Sequence, residues 1–311
     1  MTTKINGCIT TISSRAKCLP FAIKSLWDNW NHRYDYPVYI HYFDDIYDSE
    51  EYRNSIRKHT SDNVHFISIP YKTPPFLHES ELFYNRNLWY AQNRFSIARK
   101  GYLHMCHFKS NFYGYPGTEF QKYEYCLSID DESLFLKDVP YNFFEEIEKR
   151  EENYGALKIV DQHIKTPHQG NFDTRHNLWN FIKAYVQQYK VKPSSAFIRD
   201  LLDDPAADRN FHYYPISDTF VVKLKVFESP EWKQWIDAVN TFAGIYKYRW
   251  GDCEVHSIFN LLHAKEPAEG TPTGTILSHI YDFKTVDEGY FNQGGTRHIQ
   301  DYAPGVKDAT R

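Results

Sequence analysis

Apolar, β-branched runs alternate with helix-period segments from the N-terminus onward, and few folds accept that order. Ile5 to Ser13 reads as a strand, and after a short loop Leu19, Ala22, Ile23, Leu26, Trp27 and Trp30 recur at helical spacing. A second strand, Tyr36 to Phe43, runs into Asp44 and Asp45; a helix from about Ser49 to His59 and a short strand from Val64 to Ile69 complete a β-α-β-α-β start. Such alternation predicts a mostly parallel α/β sheet that binds its ligands at the carboxyl ends of the strands. The first turn, Ser13-Ser14-Arg15-Ala16, lacks the GxGxxG of a dinucleotide-binding fold.

Further along, Lys72 to Phe76 reads as a loop and Arg86 to Lys109 as a helix. The apolar strand that follows from Tyr123 delivers three acids in a row, Asp130-Asp131-Glu132, and resumes as Leu134-Phe135-Leu136. A helix near Tyr141 to Asn153, a strand near Ala156 to Val160, a His-rich loop from Asp161 to Arg175 and a helix from Leu178 to Tyr189 come next. Pro-rich connections then lead to a strand from Thr219 to Phe227, a helix from Pro230 to Phe242 and another after Gly251. No repeat divides the chain, which reads as one domain over 1–295 followed by a polar tail, 296–311.

Composition removes several function classes. With 36 Lys plus Arg against 40 Asp plus Glu and a net charge of −4, the chain offers no basic field to nucleic acid. It has neither an apolar run of the roughly 20 residues needed for a membrane span nor a secretory leader, and so reads as a cytoplasmic protein or as one cut free of an N-terminal anchor. Cys8, Cys18, Cys106, Cys126 and Cys253 show no CxxC spacing and are expected to be free thiols. GxSxG, HExxH and Walker motifs are missing, which sets aside the hydrolase and P-loop readings. The 25 Tyr, 22 Phe and 7 Trp beside only 14 Gly point mainly to core packing. A smaller set, Tyr84, Trp89, Tyr213, Tyr214, Tyr248 and Trp250, lies near polar motifs and could stack on a base or sugar.

Two clusters could carry chemistry. Asp130, Asp131 and Glu132 at a buried strand's end form either a hard-ligand site for Mg²⁺ or Mn²⁺ or a solvated turn. Phosphate beside them would be repelled by about 4 kcal/mol per charge pair at ~4 Å and an effective dielectric near 20, so it needs a cation between. A nucleotide-sugar transferase uses such a cation to neutralise its diphosphate leaving group. The second cluster is Tyr248 to Ser257, where Asp252 and His256 stand at i and i+4 on one helix face. They read as carboxylate and imidazole ligands, or else as a helix cap and a satisfied histidine. Arg15, in the first strand-to-helix loop, is positioned to meet a nucleotide. His104, His107 and Lys109 form a basic cluster or one solvated helix face, and His163, His168, His176 and His212 read as surface residues.

With these motifs in hand, the chain resembles the fungal α-1,2-mannosyltransferases of glycosyltransferase family 15. Arg249-Trp250-Gly251-Asp252 with Val255-His256-Ser257-Ile258 is similar to the family's RWGDAPVHSI. Tyr102 to Phe112, YLHMCHFKSNF, is similar to YRHMCRFQSGFF, and Tyr123 to Val139 matches YDWYWRVEPDIKLYCDI in length and pattern. Tyr36-Pro37, the strand after it and Asp44 fit HYPWVFLND, so the likeness runs from about 5 to 285. It implies a GT-A fold, a Rossmann-like mixed sheet flanked by helices, with a nucleotide-sugar half at about 1–140 and an acceptor half at 141–295. It further implies retaining transfer of mannose from GDP-mannose to a glycan or glycoprotein hydroxyl, with Mn²⁺ at the diphosphate.

Carried over by position, the resemblance gives His256 and Asp130 as metal ligands, with Asp131 as runner-up to Asp130. Arg15, Tyr84, Asp131, Tyr214, Arg249 and Trp250 are expected around the nucleotide sugar, and Asp252 is expected to orient a hydroxyl. The family's SNFEIA aligns with Ser217 to Val222, which puts Phe220 at the glutamate proposed as nucleophile. Asp218, two residues earlier on the same strand face, is then the substitute; without it, transfer proceeds by front-face attack, the favoured course. The same departure leaves two alternatives open, a UDP- or dTDP-sugar donor or an inactive glycan-binding relative.

Overall fold

The computed structural model describes residues 5–43, 45–70, 73–82, 95–115, 118–157, 177–203, 219–263, 281–282 and 291–293. Strands β1 (Gly7–Ser13), β2 (Val38–Tyr42) and β3 (Val64–Ser68) alternate with helices α1 (Leu19–Asn29) and α2 (Glu50–Arg57), as the sequence predicts. Pro20 opens α1 with its φ already set, and the Ser49 hydroxyl caps α2 by accepting from the Tyr52 N–H. Helix α3 (Phe95–Asn111) leads to β4 (Tyr125–Asp130), which turns through Asp131-Glu132 into β5 (Ser133–Phe135). There follow α4 (Phe143–Lys149), β6 (Tyr154–Ala156), α5 (Leu178–Tyr189), α6 (Ala196–Asp203), β7 (Phe220–Lys223), α7 (Pro230–Phe242), α8 (Gly244–Tyr248) and α9 (Asp252–His263). Short strands β8 (Tyr281–Asp282) and β9 (Phe291–Gln293) come last among the described residues.

Several boundaries differ from the sequence reading. Helix α4 stops early because Glu151 takes a left-handed φ of 57°, and β6 then begins at Tyr154 rather than Ala156. Strand β7 ends at Lys223, after which Leu224–Glu228 coil into a 3₁₀ turn. Helix α6 replaces part of the expected connection, docked by the Ser194 and Ser195 N–H groups on the Leu262 and Leu261 carbonyls of α9. Helix α8 fits between two left-handed residues, Ala243 and Arg249.

The main sheet runs β3-β2-β1-β4-β7-β6-β8, and β5 pairs with β9 separately. The first four strands are parallel, β7 is antiparallel to both neighbours, and β8 is parallel to β6. The chain leaves β1 toward β2 but later inserts β4 on its other side, opposing Ile12 to Asp130. That reversal opens a crevice at the carboxyl ends of β1 and β4, the usual ligand position of such sheets. Both faces are covered. Cys8 and Ile12 join a cluster with residues of α3, α5, α7 and α9, while Ile9 joins one with residues of α1, α2 and α4. Burial on two sides explains why these strands read as unbroken apolar runs.

Rings fill both layers. Trp30 lies 5.7 Å from Tyr36 and 5.0 Å from Phe143, and Trp250 stacks on Phe242 at 5.4 Å and 13°. Two glycines make room for rings: a Cβ on Gly7 would strike Phe144, and one on Gly244 would strike Trp250. All five cysteines are buried free thiols, as expected. Among the described residues no helix is long and apolar enough to cross a membrane.

Candidate functional site

The crevice brings Ser13, Ser14 and Arg15 against the acidic turn. Asp131, 2% exposed, accepts at Oδ2 from the Ser13 hydroxyl (2.8 Å) and the N–H groups of Ser14 (3.1 Å) and Arg15 (2.9 Å). Its Oδ1 accepts from Arg15 Nη1 at 2.5 Å, and Arg15 Nη2 lies 3.6 Å from Glu132 Oε1. Burial opposes the Arg15 charge, yet Asp131, Glu132 and Asp130 together outweigh it and hold its pKa above the ordinary value. Arg15 is therefore a permanent cation, with its side chain 44% exposed.

A cavity of about 220 Å³ opens here, lined by Arg15, Phe43, Tyr102, Met105, Asp130 and Glu132 among others. A larger one, about 400 Å³, lies between the C-terminal end of α3 and α7. Its lining, with Tyr113, Phe227 and Trp232, carries no carboxylate, whereas the smaller cavity gathers Arg15, Asp130, Asp131 and Glu132 at the carboxyl ends of β1 and β4.

Asp130 is fixed by its own N–H, which donates to Ser133 Oγ at 3.3 Å, and that hydroxyl meets Thr219 Oγ1 at 3.1 Å. Its Oδ1 is ion-paired with Lys109 Nζ, whose side chain is only 4% exposed. Tyr102, Met105 and Lys109 stand at i, i+3 and i+7 and share a face of α3. The first two line the cavity and the third reaches the acid, so this stretch is not a solvated basic face. His104 is buried as well, with Nδ1 3.3 Å from Tyr246 Oη. Sequence reasoning offered Lys109 only as part of a basic cluster or a solvated helix face and gave it no role, although the spacing from Tyr102 was the signal that marks it.

His256, on α9, is wholly buried, with Nε2 3.1 Å from the Lys109 carbonyl oxygen and Nδ1 3.1 Å from Tyr154 Oη. A carbonyl only accepts, so Nε2 carries the proton and the Nδ1 lone pair takes the Tyr154 hydroxyl. Trp232 stacks on the ring at 5.1 Å and 16°, and Phe220 lies 5.0 Å away. Burial lowers the His256 pKa to about 4, against the opposing pull of the Lys109 carbonyl, and the imidazole is neutral.

As arranged, these side chains do not fit a metal ion. Lys109 holds Asp130, the Nδ1 lone pair of His256 is committed, and Asp131 is saturated by four donors. Among the described residues no group of three His, Cys, Asp or Glu side chains could hold one. Asp131 instead organises the β1–α1 loop.

Trp250 is corrected to a core residue, because a ring wholly buried between Phe242 and Phe181 cannot stack on a nucleotide. Arg249 lays its guanidinium 4.7 Å from the centre of the Tyr102 ring and so backs the cavity wall without lining it. Asp252, 2% exposed, begins α9, where an acid suits the helix N-terminus, and it does not line the cavity. Its charge acts on Cys106, whose thiol is pushed well up, first by burial and then by Asp252. Phe220 is wholly buried on β7 against Tyr154 and His256. Asp44, Tyr84, Trp89, Tyr213, Tyr214, Asp218 and the four loop histidines lie outside the described residues.

Residues 2–267 match the profile of a family described as glycolipid 2-alpha-mannosyltransferase. The O-glycoside alpha-1,2-mannosyltransferase omh1 of Schizosaccharomyces pombe is 22% identical over 265 residues, covering 82% of this chain and 64% of the relative. The glycolipid 2-alpha-mannosyltransferase of Saccharomyces cerevisiae is 22% identical over 272 residues, with 82% and 56% covered. The chain thus spans under two thirds of the length of these relatives. The crystal structure of core-mannan synthase A from Aspergillus fumigatus, in its Mn/GDP form, is similar with a TM-score of 0.70 at 18% identity, over 91% of this chain and 73% of that one. The mannosyltransferase Ktr4p from S. cerevisiae in complex with GDP gives 0.68 at 19%, over 85% and 68%. That likeness is one of fold, and the mixed sheet with flanking helices is the expected GT-A arrangement.

Proposed function

The chain belongs to the glycolipid 2-alpha-mannosyltransferase family, and on that premise we propose that it is a retaining glycosyltransferase moving mannose from GDP-mannose to a glycan hydroxyl in α-1,2 linkage. The observation that carries this is Arg15, a permanent and half-exposed cation at the mouth of the crevice between β1 and β4. Its guanidinium suits the paired oxygens of a diphosphate. Asp131 keeps the loop rigid, so the Arg15 charge needs no reorganisation as the leaving group gains negative charge. A cavity of about 220 Å³ falls below the roughly 300–1,000 Å³ of whole-ligand pockets, and takes part of the donor.

In the transfer, the bond from C1 of mannose to the leaving phosphate oxygen breaks while the acceptor oxygen bonds to the same face of C1. The acceptor's hydroxyl proton passes to the departing phosphate oxygen. This front-face course requires no carboxylate nucleophile, in keeping with Phe220 at the family's glutamate position; Asp218 is the alternative nucleophile. Mn²⁺ is expected from the resemblance and is named with GDP in the Aspergillus structure, and the position the resemblance assigns to its carboxylate is Asp130. In this chain Lys109 already holds that carboxylate. Five buried thiols without a disulfide accord with a reducing compartment, and the proposed setting is the cytoplasm.

Calorimetric titration with GDP, beside a donor-hydrolysis panel of GDP-mannose and UDP- and dTDP-linked sugars, tests this function. The expected result is micromolar GDP binding that falls at least tenfold in Arg15→Ala, with mannose released from GDP-mannose alone. Turnover of a UDP- or dTDP-sugar instead, or glycan binding with no donor turned over, would refute it.

A further inference from the structure

Both positions that the family resemblance assigns to a metal end on one residue. Asp130 Oδ1 pairs with the Lys109 ammonium, and His256 Nε2 bonds the Lys109 carbonyl oxygen at 3.1 Å. The matching family segment, YRHMCRFQSGFF, has glutamine where this chain has Lys109. We propose that Lys109 is the resident counter-cation of the site: its ammonium occupies the position beside Asp130 that a divalent cation would need, and the donor's diphosphate is held without a metal ion. This assignment presupposes the nucleotide-sugar function proposed above.

Charge supports it first. Asp130, Asp131 and Glu132 bring three negative charges, and Arg15 and Lys109 already answer two of them inside the same cluster. Here a dication would enter beside an ammonium that is 4% exposed, where like charges repel with little screening.

Geometry supports it second. The ring of His256 is wedged by Trp232 and Phe220 and anchored by Tyr154, so its Nε2–H fixes the main chain of α3 at Lys109. His256 is thus a positioning residue for Lys109, acting through the backbone while the side chain extends to Asp130. Arg15, on the same acidic turn and lining the cavity, is the cation that faces the diphosphate.

The test is a Mn²⁺ titration of the full chain without nucleotide, reading free Mn²⁺ by electron paramagnetic resonance, in wild type, Lys109→Gln and Lys109→Arg. Wild type and Lys109→Arg are expected to bind at least tenfold more weakly than Lys109→Gln, and Asp130→Asn on the Gln background should abolish the gain. In parallel, GDP affinity of the wild type should agree within twofold in Mn²⁺ and in EDTA. Equal Mn²⁺ affinity in wild type and Lys109→Gln, or GDP binding by the wild type that disappears in EDTA, overturns the proposal. If Lys109→Gln does not fold, the wild type decides alone: saturable binding at micromolar Mn²⁺ overturns the proposal and its absence supports it. Failure of GDP to bind under either condition sinks the nucleotide-sugar function, while the Mn²⁺ comparison still decides the role of Lys109.

Discussion

Acid will unfold this protein partly through imidazoles that its core keeps neutral. His41, on β2, is wholly buried against Phe108 and Phe120. Its Nδ1 is 3.3 Å from the Thr11 carbonyl oxygen, and its Nε2 is buried with no hydrogen-bond partner among the described residues. Burial lowers its pKa to about 3, and lowers that of His256 to about 4. The unfolded chain binds a proton at each near pH 6.5, whereas the folded chain refuses it until pH 4 or below. Stability from these groups is therefore complete above pH 6.5 and lost as the pH falls toward 4. Between pH 7 and 5 each imidazole costs about 2 kcal/mol, and the pair about 4 kcal/mol, a large share of a typical 5–15 kcal/mol. Phe in place of His41 keeps a ring of similar size and removes the protonation site. Urea unfolding at pH 7 and 5 should show His41→Phe losing about 2 kcal/mol less than wild type over this interval. Identical pH slopes in the two proteins, or a His41 ring resonance that titrates near 6.5, would refute the burial argument.

Two further substitutions probe the site. Phe220→Glu restores the family's carboxylate but buries it between Tyr154 and His256, and should cost about 3–5 kcal/mol in urea unfolding; a stable variant with faster mannose transfer would mean that β7 faces the donor. Asp131→Asn keeps one acceptor oxygen but replaces the other with an NH2 group that only donates, and should cost about 1–3 kcal/mol along with GDP affinity. Unchanged calorimetric binding by that variant would show that the Arg15 loop holds its shape without the charge.

Periodicity made α1, α5 and α7 legible to within a residue, because each has a distinct apolar stripe and Pro20 or Pro230 marks a start. Arg15 and Asp130 to Glu132 were each legible as ends of strands, but their ion pairing was not, because it depends on β4 being inserted beside β1. Helix α6 was not, because its docking depends on carbonyls of Leu261 and Leu262 far along the chain. The fate of His256 was hidden for the same reason: its partners Lys109 and Tyr154 are 147 and 102 residues away. Motif similarity named the position, and only tertiary packing decided what its nitrogens bond. Trp250 shows the converse, a residue in a polar motif that the core claims for itself.

The two glycines seated beneath rings carry a consequence for how this sequence can drift. Exchanging a glycine for alanine commonly stabilises a protein by about 0.4–1 kcal/mol through the unfolded chain. At Gly7 and Gly244 the same change would evict Phe144 or Trp250, since each ring occupies the volume a methyl group would need. Neither position can change alone. The expectation for relatives is that residues 7 and 144, and likewise 244 and 250, vary as pairs, a small residue on one side and a ring on the other.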